Sequence, residues 1–245
     1  MRARVGPPMA SPYLFSASAL VAVLALGCTA APANDETASV ADEIIGGRIA
    51  RDFPEAVLVD SDRGYCSGAV IAPRVVLTAG HCVKGASRWT VTAPFADNQT
   101  SRSETAWTEY TAFGGLLNPR AIDVALIILD TPIELASYPT IATEMARNNT
   151  KAFNVGRVRN GVVSRSARYY GEDVSLTRGQ PNGYPYAYIS EEVVESGDSG
   201  GPVYVKVPGG RKIVAVNSGG AGGRQVLGRV DLVHEKIAEL IAEHR

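Results

Sequence analysis

From residue 44 onward the hydrophobic positions fall in short runs: Ala56 to Val59, Ser67 to Ile71, Val75 to Thr78, Val124 to Leu129, Val162 to Ser164, Pro202 to Val207, Ile213 to Val216 and Val226 to Val230. Gly, Pro, Asn and Asp separate them, and short β-branched-rich runs between turn formers predict an antiparallel, all-β sandwich or barrel. One segment has a different period. Between Asp231 and Glu243, the side chains of Leu232, Ile237, Leu240 and Ile241 fall roughly on one helical face with charges between them, which predicts a C-terminal α-helix. No repeat or long linker interrupts residues 44–245, so this stretch is expected to be one compact unit with room for two barrels sharing a core.

The first 43 residues do not share this pattern. Arg2 and Arg4 precede the apolar run Leu14 to Gly27, which has the length of a signal-peptide core and is short for a membrane span. Residues 1–28 are therefore read as a signal peptide, and residues 29–43, small, polar and acidic, as a tether or pro-segment. Export places Cys28, Cys66 and Cys82 where disulfides persist. Cys28 ends Ala25-Leu26-Gly27-Cys28, which resembles a bacterial lipobox. There the Cys is acylated and anchors the protein to the cell envelope. The alternative is an ordinary signal peptide cleaved after Ala31-Pro32-Ala33 and a secreted product. In either case Cys66 and Cys82 remain to pair. A formal net charge of -1 offers no case for a nucleic-acid partner, and a lipid on Cys28 is the one membrane contact expected.

Three stretches hold candidate chemistry. Of the three histidines, His234 and His244 lie among Glu and Lys on the predicted helix and read as solvated. His81 closes a β-branched run as Leu77-Thr78-Ala79-Gly80-His81-Cys82, and no further Cys or His stands at ligand spacing, so no metal or other cofactor is expected. Ser199 lies in Gly197-Asp198-Ser199-Gly200-Gly201-Pro202. A tight turn would use these residue types, but a nucleophilic Ser also needs small neighbours, so that substrate reaches its Oγ and backbone N–H groups reach an oxyanion. Asp123 opens the apolar run Val124 to Leu129, where a carboxylate requires a specific partner, and an imidazole is a suitable one.

IIGG at residue 44, LTAGHC, DVAL and GDSGGP, in this order and at these separations, resemble the chymotrypsin/trypsin family of serine endopeptidases. The resemblance implies two six-stranded antiparallel β-barrels with the site between them and a C-terminal helix, spanning residues 44–245. It implies Ser199 as nucleophile, His81 as base then acid, Asp123 as the carboxylate orienting His81, and an oxyanion hole from the N–H groups of Gly197 and Ser199. It further implies a Cys66–Cys82 bridge, Ser218 bonded to Asp123, and Gly219 and Gly220 as a strand that pairs with a protein or peptide substrate. An activating protease and a protein inhibitor are further partners it implies. A catalytically inactive binding module would have lost one of the three residues, and an HtrA-like protease would read Asn in place of Asp198 and need no processed Ile.

Two departures concern specificity and activation. The family places its pocket base six residues before the nucleophile, which is Val193 here, so an uncharged P1 residue is expected. A one-residue slip would bring Glu192 or Glu195 into the pocket instead, whereas solvated loop charges are the plainer account of both. The family's cleavage before the first Ile frees an α-amine at Ile44 that pairs with Asp198. The residue before that cut is Glu43, so a trypsin-like activator is not expected.

Overall fold

The computed structural model describes residues 47–113, 117–171 and 173–245. The expected signal peptide, the tether, Cys28 and Ile44 lie outside the described residues. Seven strands form the first sheet: β1 (Ala56–Ser61), β2 (Gly64–Ala72), β3 (Val75–Thr78), β4 (Trp89–Ala93), β5 (Gln99–Ser103), β6 (Thr105–Thr108) and β7 (Ala125–Ile128). The second sheet has nine strands, and six of them make its barrel: β8 (Thr150–Gly156), β9 (Val174–Arg178), β10 (Ala187–Glu191), β11 (Pro202–Val207), β12 (Gly210–Ala221) and β13 (Arg224–Arg229).

The barrel of the second sheet runs β8-β9-β10-β13-β12-β11, and β11 pairs back to β8 through Ala152↔Val205, Phe153↔Tyr204 and Asn154↔Val203. It is a closed six-stranded antiparallel barrel. The first runs β5-β4-β1-β2-β3-β7-β6 and does not close by strand pairing among the described residues, so it is a half-barrel rather than the closed barrel expected. The reason is local. Its two edge strands, β5 and β6, are consecutive in the chain and joined by the Ser103 side chain, and single bonds tie β5 to the end of β7 and the residues after it. Ser103 Oγ accepts the Thr105 N–H and donates to Ile128 O at 2.6 Å, while the Asp130 N–H donates to Arg102 O at 2.9 Å.

Most of the apolar runs visible in the sequence are largely buried strands, but Val162–Val163 is exposed in a two-stranded ribbon with Val158–Arg159, since no second layer covers it. All of β3 is buried: Val76 packs in the core of the first sheet, with Val57, Val59, Val70 and Ile127, while Val75 and Leu77 join the larger core that spans the two sheets. Strands β4, β5, β6, β8, β9 and β10 coincide with none of the predicted runs. β4 shows why, since Trp89, Val91 and Ala93 face inward and the intervening threonines do not, the period-2 signature of a half-buried strand. The terminal helix α2 covers His234–Glu243 and buries Ile237 and Leu240. Leu232 sits in a preceding 3-10 turn, Asp231–Val233, and is 37% exposed, so it does not belong to the helix face assigned to it.

Candidate active site

His81 lies in a one-turn helix, α1 (Gly80–Val83), immediately after β3. The Cys66–Cys82 disulfide, with Cα atoms 6.2 Å apart, ties this turn to β2. Both sulfurs near His81 are thereby consumed, so the grouping of Cys66, His81 and Cys82 holds no thiolate for a metal. Asp123 stands two residues before β7, which pairs with β3, and this pairing brings the carboxylate under the imidazole. Asp123 Oδ2 is 2.8 Å from His81 Nδ1, and Oδ1 accepts the His81 backbone N–H at 2.8 Å. Ser218 Oγ donates to the same Oδ2 from β12 of the other barrel. With these donors a carboxylate only 5% exposed is fully provided for. Asp123 accepts at Nδ1, so the neutral ring keeps its lone pair on Nε2, and the side chain is 29% exposed, open to a reactant.

Ser199 is held at the junction of the two sheets. Its carbonyl accepts the Ser67 N–H of β2 at 2.7 Å, and Ser67 Oγ donates to Gly197 O at 3.0 Å. From the other side the Gly200 N–H donates to Asn217 O at 2.7 Å, and the Asn217 N–H donates to Gly201 O at 2.8 Å. Gly200 has φ +81°, and a Cβ there would fall 2.1 Å from Thr78 Oγ1 and 2.8 Å from Ala79 N. Only glycine lets the Ser199 loop approach the His81 turn this closely. The N–H groups of Gly197 and Ser199 donate to no protein acceptor among the described residues. No Ser199–His81 hydrogen bond is made among the described residues. Such contacts commonly tighten only in the substrate complex.

Asp198 is wholly buried between these two donors. Its Oδ1 accepts the N–H groups of Arg157 at 2.7 Å and Val158 at 2.8 Å, and Oδ2 accepts that of Glu195 at 3.0 Å. Burial pushes its pKa up, opposed by these N–H groups and by the charge of Arg168.

The family model for Trypsin matches residues 44–234. The chain belongs to the trypsin family. It is 31% identical over 137 residues to coagulation factor IX of Oryctolagus cuniculus, covering 52% of this chain and 49% of that protein. Against coagulation factor IX of Cavia porcellus it is 27% identical over 132 residues, covering 49% of this chain and 46% of that protein. The chain thus spans about half the length of the curated relatives it matches. Among solved structures, human heparin binding protein superposes with a TM-score of 0.63 at 22% identity, covering 79% of this chain and 95% of that one. A second structure, of HBP at atomic resolution, has a TM-score of 0.63 at 23% identity over 80% of this chain and 96% of its own. These likenesses concern the fold, that of a trypsin-like serine protease domain.

In this trypsin-family domain, the cleft beside Ser199 is lined by Glu192, Val194, Glu195, Ser196, Asn217, Ser218, Gly219 and Gly220. Val193, the expected pocket base, is not on that lining. Its neighbours Glu192 and Val194 face the cleft, while Val193 packs against the core and its N–H donates to Gln225 Oε1 at 3.2 Å, the alternation of an extended chain. Glu192 Oε2 accepts the Gly223 N–H at 2.8 Å, and Oε1 lies over the opposite wall, 2.4 Å from where a Cβ on Gly220 would stand. Glu195 Oε2 accepts the Gly161 N–H, and Glu191 points to Ser175 N away from this cleft. Behind the cleft Gln225, itself buried, donates to Ser190 Oγ at 2.8 Å and Asn154 Oδ1 at 3.3 Å. Ser67 and Gln225 escaped sequence reasoning, because no motif surrounds either of them, and Asn217, though it opens the Asn217-Ser218-Gly219-Gly220 segment, was given no role.

Proposed function

We propose that this chain is an exported serine endopeptidase that hydrolyses peptide bonds with His81, Asp123 and Ser199. The observation that carries the reading is the Asp123 carboxylate, which orients His81 through Nδ1 and the backbone, while the Ser199 loop packs against the turn before His81 through Gly200. The general mechanism of such triads was worked out on this family. Ser199 Oγ attacks the peptide carbonyl carbon and passes its proton to His81 Nε2. Asp123 stabilises the resulting imidazolium, and the N–H groups of Gly197 and Ser199 receive the oxyanion. Collapse breaks the C–N bond, and His81 returns the proton to the departing amine. Water then repeats the sequence on the acyl-enzyme and frees Ser199. The Gly219–Gly220 edge offers main-chain groups to an extended substrate as an added strand.

Family membership implies protein or peptide substrates. Two carboxylates and no Lys or Arg line the described cleft, which supports a cationic P1 side chain over an apolar one. Export is supported by the Cys66–Cys82 disulfide. Cleavage before Ile44 by a protease accepting Glu43 is the proposed processing step, and the buried Asp198 is the carboxylate its new amine would meet.

A fluorophosphonate probe tests the catalytic reading. Covalent labelling of the wild type and none of Ser199→Ala is the expected result. No labelling of the chain, cut or uncut at Ile44, would replace the endopeptidase with a binding module on the same fold.

A further inference from the structure

Two arginines are wholly buried beneath the nucleophile loop, and they are treated very differently. Arg157 Nη1 donates to Asp60 Oδ1 at 2.6 Å and to Cys66 O at 2.9 Å, and its Nε donates to Ser164 O at 2.9 Å. Arg168 is 0% exposed, and none of its three guanidinium nitrogens has a hydrogen-bond partner among the described residues. A guanidinium keeps its proton in proteins, and a buried charge without compensation is among the costliest features an interior can contain. Arg168 therefore requires an anion.

Two carboxylates act on it. Burial and the like charge of Arg157 push the Arg168 pKa down to about 9, and Asp198 is the foremost group opposing them, ahead of Tyr204 and Asp60. Asp60 is already paired with Arg157. Asp198 is left, and the strand register brings the two segments together: Tyr169, next to Arg168, pairs with Gly156, Arg157 follows Gly156 and gives its N–H to Asp198 Oδ1, and Arg168 and Asp198 are both wholly buried. The relation is reciprocal, since Arg168 is the side-chain charge that offsets the burial of Asp198 alongside the N–H groups of Glu195, Val158 and Arg157. The seat of the Asp198 carboxylate is also sterically defined. A Cβ on Gly156 would stand 2.1 Å from Asp198 Oδ1.

We propose that Arg168 is a positioning residue for the oxyanion hole. Its buried charge keeps Asp198 ionised and seated on the N–H groups of Arg157, Val158 and Glu195, and so holds Gly197 and Ser199 in donor geometry in the uncut chain. The proposal rests on the triad reading above. Its consequence is that an α-ammonium group freed at Ile44 would bring a second cation to a carboxylate that already has one. Processing then adds to activity without creating it.

The test compares two full-length forms. Ile44→Pro keeps the chain uncut, and replacing residues 39–43 with the recognition sequence of a site-specific protease gives a chain cut before Ile44; N-terminal sequencing verifies both. The uncut chain is expected to hydrolyse peptide with a kcat within about tenfold of the cut one. In the uncut form Arg168→Met lowers kcat about 10²-fold with KM little changed, the scale of one lost oxyanion donor. Arg168→Lys restores most of it, and the same Met substitution costs less in the cut form, where the ammonium takes over. A cut chain that is active beside an uncut chain below about 1% of it overturns the proposal and leaves the triad standing. So does an Arg168→Met variant that melts earlier with kcat unchanged, or that loses equally in both forms. If Arg168→Met does not fold, the ratio of uncut to cut activity decides alone. A cut chain that fluorophosphonate does not label removes the triad reading and this proposal together.

Discussion

Replacing Glu192 with Gln tests whether the cleft beside Ser199 selects a cation. Glu192 is half-buried on the lining, and its Oε2 is held by the Gly223 N–H at 2.8 Å, so the charge is fixed over Gly220 and does not sweep through solvent. Gln keeps an acceptor for Gly223 and nearly the same volume, and it removes only the charge. A P1 ammonium or guanidinium about 4 Å away would gain roughly 1 kcal/mol at the dielectric of water and roughly 4 at that of a protein surface. Partial exposure moves the value toward the lower end, and about 1–2 kcal/mol corresponds to about a 5- to 30-fold change in kcat/KM. The assay is hydrolysis of peptides identical except for Arg, Lys, Gln or Leu at P1, measured for wild type and Glu192→Gln. The wild type should prefer Arg and Lys, and the substitution should remove about that factor for these two while leaving Gln and Leu substrates unchanged. Equal losses across the panel, or a wild type that prefers Leu, would refute the electrostatic reasoning and return the pocket to the uncharged preference expected from Val193.

Ser218→Ala removes the hydroxyl that donates to Asp123 Oδ2 and leaves the two bonds to His81 in place, so kcat should fall about 10-fold with KM nearly constant, on the usual value of a hydrogen bond to a charged group; steady-state kinetics reads this directly. Reducing the bridge by the double change Cys66→Ser and Cys82→Ser opens a loop with a sequence separation of 16. The loss should be roughly 3 kcal/mol in denaturant unfolding on the chain-entropy model. Activity per folded molecule should fall as well, because the bridge anchors the turn that carries His81.

The buried Arg168 changes the meaning of the IIGG segment. Read from sequence, cleavage before Ile44 was the step that would give Asp198 its cation. In the folded domain the Ala50 N–H donates to Arg168 O at 2.9 Å, and Arg48–Ile49 pairs with Tyr169–Tyr170, so the chain following IIGG lies against the segment that carries Arg168. No motif marks Arg168, since Ser-Ala-Arg-Tyr-Tyr reads as an ordinary half-polar strand.

By itself the sequence determined what depends on short-range chemistry and on burial strong enough to exclude polar residues. The two-sided burial of β3 and β7 left continuous apolar runs, and the need for small residues around Ser199 left GDSGGP. Both could be read without coordinates. The tertiary structure decided whatever depends on which face a residue turns to and on what meets it across the fold. Val193 and Glu192 are adjacent in sequence and opposite in direction, because an extended chain alternates its side chains and no periodic partner announces the phase. The first sheet stays a half-barrel because its edges meet through Ser103 and not through a ladder. The charge on Arg168 acquires its proposed role only when folding buries both it and Asp198, since electrostatic compensation depends on distance and dielectric, which a linear order of residues does not contain.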